Sequence, residues 1–159
     1  MKKLILSFSF FALVLGVNAQ SKSIAALKEK YKGSEDFFQM ELGGNFLSFA
    51  EGFKIDLDKN DMAAVAKSVE KLNFFTLPED PRTKGEFYAL QKGLKRENYE
   101  LLMEAAEGKS GLMIYSKGGK TIEDLIILVG DDKDGGMMVV ELKGAFTQEM
   151  VDKAKNGLK

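Results

Sequence analysis

The sequence has no cysteine, no histidine and no tryptophan, only two prolines, and two arginines, Arg82 and Arg96. Each absence removes a chemistry. Without cysteine an exported chain has no disulfide framework and must be held by its core. Without histidine and cysteine the Ser-His and Cys-His nucleophile systems are gone, and with them nearly all zinc and copper sites. Any catalysis would run on carboxylates, lysine, tyrosine or serine. Two guanidinium forks are a poor endowment for recognising phosphate or nucleic acid. Acidic and basic residues are interspersed to a net charge of -1, which points to no polyanionic partner.

What is present begins with a leader. Lys2 and Lys3 precede an apolar run from Leu4 to Val17, and Val17-Asn18-Ala19 offers the modest side chains that a signal peptidase reads. The expected cut follows Ala19, leaving Gln20 as the new N-terminus. The run is shorter than the roughly 20 residues a membrane-spanning helix needs, so no integral membrane segment is expected after cleavage. No cysteine follows the run, so lipid attachment is excluded. The expectation is export to the periplasm or the extracellular space, not a lipoprotein, with residues 1–19 as signal peptide and 20–159 as a single domain.

Along that domain, Ile24, Leu27 and Tyr31 share one face of a helix over 23–32, with Ser21 or Ser23 as cap and Gly33 as stop. Phe37 to Leu42 alternates like a strand. Gly43-Gly44 breaks it, and Asn45 can cap a short helix bearing Phe46, Leu47, Ala50 and Phe53. Leu72 to Leu77 is a strand stopped by Pro78. After the loop PEDPRTKG, the residues Phe87, Leu90 and Leu94 mark a helix over 84–95. Tyr99 to Ala106 is helix-rich in composition but is read as a strand. Leu112 to Ser116 is a strand, and the turn Lys117–Lys120 uses two glycines for the positive φ of a tight hairpin. Thr121 to Val129, with LIILV and no polar face, is a central strand buried on both sides. Met137 to Leu142 is the last strand. A final helix starts at Thr147, with Phe146 and Val151 placed as a hydrophobic staple. The fold class is therefore α+β: a single mostly antiparallel sheet, with a C-terminal meander, packed against helices. The pairs Phe37-Phe38 and Phe74-Phe75 form a faint internal echo, for which chance is the better explanation in a phenylalanine-rich chain.

Four patterns invite a chemical reading. Asp56, Asp58 and Asn60 alternate like the opening of a calcium loop. Counted from Asp56, however, position 6 is Asp61 where the turn needs glycine, and position 12 is Lys67 where the closing ligand needs glutamate. A polar loop capping the next helix explains the stretch better. Asp131, Asp132 and Asp134 are the second weak calcium candidate, set against a solvated hairpin loop turning at Asp134-Gly135. Ser68-x-x-Lys71 matches a penicillin-recognising motif, but no S-D-N triplet accompanies it. Glu123 and Asp124 are adjacent on a strand and point to opposite faces, so they cannot share an acid–base site. No catalytic residue, cofactor or firm metal ligand is assigned. Met103, Met113, Met137 and Met138 fall on strands, where core packing explains them best.

Taken together, the helix IAALKEKY, the passages FFQMELGGNFL and KLNFFTLPED, the helix FYALQKGL, and the stretches NYELLMEAAEG, GLMIYSKGGKTIEDLIILVGDD and VVELKGAFTQEMVDKA resemble the domain of unknown function 4252 family, small exported proteins found mainly in Bacteroidota. The resemblance supports the strand at Tyr99–Ala106 and implies no activity, cofactor or catalytic residue. Many relatives look like lipoproteins, from which this chain departs.

The leading expectation is a non-enzymatic module binding another envelope protein, which calls for a broad exposed apolar patch. The alternative is a small-ligand or lipid binder, which calls for a pocket of a few hundred Å³. The remote alternative, a carboxylate-based hydrolase, calls for two inward-facing acids in a cleft.

Overall fold

The computed structural model describes residues 20–43, 67–83, 85–107, 110–131 and 136–157. In chain order these form α1 (Lys22–Tyr31), β1 (Phe38–Gly43), β2 (Val69–Leu77), α2 (Glu86–Arg96), β3 (Glu100–Glu107), β4 (Ser110–Gly118), β5 (Ile122–Asp131), β6 (Met137–Phe146) and α3 (Gln148–Gly157). The six strands make one sheet in the order β1-β2-β6-β5-β4-β3, and every neighbouring pair is antiparallel. The expected α+β class and the C-terminal meander, β3 to β6, are both present. The short helix expected after Asn45 and the Asp56–Asn60 stretch lie outside the described residues.

Period-two alternation sorts the strands' side chains onto two faces. One face gathers Phe75, Leu77, Tyr115, Ile126, Leu128 and Val139 under Ile24 and Leu27 of α1 and Leu90 and Leu94 of α2. The other gathers Leu72, Ile114, Leu125 and Phe146 with Val151 of α3. Phe146 and Val151 thus meet across the start of α3, as the staple expects, and Thr147 caps it by accepting from the Met150 amide at 3.2 Å. The two phenylalanine pairs are not a repeat of separate units. They meet at the start of β1 and the middle of β2, with Phe37 against Phe75 and Phe38 against Phe74, each at 5.9 Å between ring centres.

Several strands run longer than expected: β2 starts at Val69 and not Leu72, β4 spans Ser110–Gly118 and not Leu112–Ser116, and β5 ends at Asp131 and not Val129. β6 runs past Leu142 to Phe146, because Gly144 opposes Val69 where β2 bulges; a Cβ at Gly144 would lie 1.9 Å from the Ser68 carbonyl oxygen. The Lys143-Gly144 pair reads as a loop only if that close approach is unknown. At the β4–β5 turn, Gly118 alone of the two glycines has positive φ, at 148°.

Helices α1 and α2 are locked by one carboxylate. Ser21 caps α1 by accepting from the Ile24 amide. Glu97, just past α2, accepts from the amides of Lys22 and Ser23 at 2.9 and 2.8 Å and from the Ser23 hydroxyl at 2.5 Å. These donors are free first-turn groups, and a carboxylate there also meets the positive end of the helix dipole. Burial pushes the Glu97 carboxyl up, but the hydrogen bonds from Ser23 and Lys22 outweigh it and hold it below its ordinary value. The contact needs Gly93, where a Cβ would stand 2.1 Å from Ser23 Oγ. Gly93→Ala is expected to push the helices apart and cost about 1–3 kcal/mol in chemical denaturation; unchanged stability would mean that the α1–α2 contact is not tight.

Candidate functional site

Polar side chains collect on the helix-covered face where β2, β6 and β5 run out beyond the apolar core. The registers set them in two rows. Glu41 of β1 faces Asn73 of β2, which faces Glu141 of β6. The next row places Lys71 opposite Lys143, which faces Asp124 of β5. Successive residues of one face are about 6.8 Å apart along a strand. An acceptor row and a lysine row therefore lie side by side, and the following rung, Phe75 opposite Val139, is already core.

The charges are not evenly compensated. Two lysines directly opposite repel, and each is held by a carboxylate. Lys71 Nζ lies 2.7 Å from Glu41 Oε1. Lys143 Nζ lies 3.2 Å from Asp124 Oδ1, close enough for attraction but out of line for a hydrogen bond. Asp124 also accepts from the Tyr99 hydroxyl at 3.2 Å. Burial, with Asp124 and Glu141 nearby, pushes the Tyr99 hydroxyl far up, so it remains a donor. Glu141 has no such cation. It is 1% exposed, and among the described residues it receives neutral donors alone, Asn73 Nδ2 at 3.1 Å and Gln20 Nε2 at 3.3 Å, both on Oε2. Its Oε1 has no partner, and neither has Oδ1 of Asn73, which is 3% exposed. A buried carboxylate without a cation is costly, and unpaired buried acceptors add to that cost.

Above this floor opens a groove of about 740 Å³, lined among others by Gln20, Lys71, Asn73, Thr121, Glu123 and Lys143. Two of its lining residues carry a buried polar atom without a hydrogen-bond partner among the described residues: Asn73 Oδ1 and Lys143 Nζ, the latter beside Asp124. A smaller crevice of about 240 Å³ lies between α1 and α2, beside the Lys30–Glu86 ion pair.

Residues 31–154 match the model of a family described as a domain of unknown function, DUF4252. The chain belongs to the DUF4252 family. Comparison with curated proteins and with solved structures finds no match. The matched DUF4252 span takes in Asn73, Tyr99, Asp124, Glu141 and Lys143 but not Gln20.

Several sequence expectations can be placed on this DUF4252 chain. Glu123 and Asp124 do part company: Glu123 is exposed and Asp124 buried. The Ser68-x-x-Lys71 pair has Lys71 tied to Glu41, and Ser68 sits on the first residues before β2. Asp131 closes β5, while Asp132 and Asp134, like Asp56, Asp58 and Asn60, lie outside the described residues. Among the described residues no group of three acids gathers to hold a metal ion, and no helix is long and apolar enough to cross a membrane. Sequence reasoning missed Asn73 and Glu141. The signal was parity: each stands two residues from a wholly buried side chain, Phe75 and Val139, on the same face of its strand.

Proposed function

We propose that this is an exported binding protein without catalytic activity of its own, and that its groove over Asn73 and Lys143 takes a small polar ligand. The observation that carries the reading is the pairing of a groove of about 740 Å³ with a buried floor on which an acceptor, Asn73 Oδ1, and an ion-paired donor, Lys143 Nζ, lack hydrogen bonds. That volume is within the range of small-molecule sites, which are recognised by a few placed polar groups. The polar lining favours a polar ligand over a lipid.

The rival expectations have less support. A partner-binding face calls for one broad apolar patch, but the large exposed apolar side chains among the described residues are Phe38, Tyr88 and Leu101. Phe38 and Leu101 stand on β1 and β3, the opposite edges of the sheet. A hydrolase calls for two available acids. Asp124 and Glu141 share a face on adjacent strands, but Asp124 is engaged by Lys143 and by a Tyr99 hydroxyl that stays protonated, so it is not a free base.

Native mass spectrometry of the protein purified from cells that export it is the direct test. The expected result is a chain beginning at Gln20 that carries a small-molecule adduct, with the adduct lost in Asn73→Leu. A bare chain whose groove amides do not shift in NMR when a polar cell extract is added would sink the reading.

A further inference from the structure

The two rows of charge specify the ligand more closely than the groove's volume does. At one row, Glu141 and Asn73 offer two buried acceptors without hydrogen-bond partners, and among the described residues the groups that hydrogen-bond to Glu141 are neutral amides. Gln20 and Asn73 both line the groove, so Glu141 lies directly beneath its floor. The group that complements a buried carboxylate and a neighbouring carbonyl oxygen is a cationic N–H donor with more than one hydrogen, which is an ammonium. At the other row, Lys71 and Lys143 face each other across β2 and β6, and Lys143 Nζ makes no hydrogen bond. Each already has a carboxylate beside it, Glu41 at Lys71 and Asp124 at Lys143, but Lys143 Nζ still has hydrogens to give, and an anion such as a carboxylate would take them.

From these rows we infer that the groove binds a small zwitterion. Its ammonium is received by Glu141 and Asn73, and its carboxylate by Lys143 with Lys71. The inference rests on the groove being a ligand site and goes beyond it by fixing the ligand's charges. The arrangement rejects the wrong ligand as strongly as it accepts the right one. A neutral group at Glu141 leaves the carboxylate uncompensated, and a second cation at Lys143 meets like charge. The mixed exposed rim, with Glu70 and Glu123, favours no net charge on the ligand.

The test uses the protein beginning at Gln20, isotope-labelled, and three probes followed by NMR shift titration. L-alanine carries both charges, N-acetyl-L-alanine lacks the ammonium, and L-alaninamide lacks the carboxylate. The expected result is that L-alanine moves the Asn73, Thr121 and Gly144 amides and binds at least ten-fold tighter than either analogue. In Glu141→Gln, with its spectrum still dispersed, L-alanine is expected to bind no better than N-acetyl-L-alanine. In Lys143→Met it is expected to bind no better than L-alaninamide. A preference for either analogue overturns the zwitterion and leaves the groove reading standing. No shift with any probe, whether the terminus is free or acetylated, overturns the zwitterion, and a polar cell extract that also leaves the groove amides unmoved overturns the groove. An ammonium also exists at the chain's own Gln20 terminus if the leader is cut after Ala19. Alanine binding that emerges only after acetylating that terminus would show Glu141 paired within the chain and overturn an external ligand.

Discussion

Replacing Phe75 by alanine is expected to remove about 3–5 kcal/mol of stability, the usual cost of emptying a fully buried aromatic site. Phe75 is wholly buried in β2, between Gln39 of β1 and Val139 of β6, with Phe37 tilted against its ring at 5.9 Å. Helices α1 and α2 close the same cluster from above, so the space left by the ring cannot collapse without moving a helix or a strand. A single domain has about 5–15 kcal/mol to lose, and the change should lower the melting temperature by roughly 10–15 °C. Phe74→Ala is the internal control. That ring lies on the opposite face, half-buried, edge-on to an exposed Phe38, and its loss should cost only about 1–2 kcal/mol. Guanidinium denaturation of both variants checks the pair: midpoints should fall far apart with unchanged slopes. Equal losses would mean that the assignment of the two faces is wrong.

The contrast between two adjacent phenylalanines shows what the sequence made legible. Helices α1, α2 and α3 announce themselves through a single apolar stripe each and through their caps, Ser21 and Thr147 among them. The central position of β5 follows from LIILV, which has no polar face to give to water. What is hidden is which face a strand residue takes when both faces are covered. In FF, LIILV and MMVV every residue is apolar, so alternation carries no sign. The sign comes from register, and register here depends on bulges at Val69/Lys71, Leu101/Met103 and Ile122/Asp124 that no composition reveals.

The candidate site was hidden for the same reason. Asn73 and Glu141 look like the polar half of an alternating pattern, and an amphipathic reading sends them to solvent. Instead they line up with the core face of β2 and β6, and among the described residues they are some of the most buried, Gln20 lying over Glu141. Their meeting is a long-range event, 68 residues apart in sequence, made because β6 pairs with β2 on the side away from its sequence neighbour β5. By contrast, the acidic stretches that drew the eye, Asp56–Asn60 and Asp131–Asp134, did so because local spacing resembles a calcium loop. Local spacing is what a sequence displays best, and a site assembled by sheet register is what it displays least.

If the Asn73–Glu141 pair is kept for binding, removing it should make the protein more stable. Glu141→Leu together with Asn73→Val replaces an uncompensated carboxylate and a half-satisfied amide with side chains that match their neighbours, Ile126 in register on β5 and Val139 on the same strand. Exchanging buried ionic groups for packed apolar ones is often worth about 1–4 kcal/mol, and a gain of that order is expected here. Gln20 loses its acceptor but is only half-buried and can turn to water. Glu141→Leu alone should fall below the double variant by about 1–3 kcal/mol, because Asn73 Nδ2 is then a buried donor with nothing to donate to. The double variant should at the same time lose any groove ligand. Chemical denaturation gives the first quantity and ligand titration the second. A gain in stability coupled to a loss of binding is the mark of a site held against the interest of the fold. A double variant less stable than the natural chain would instead make Glu141 and Asn73 structural members of the sheet, and the groove would lose the feature that most favours a ligand.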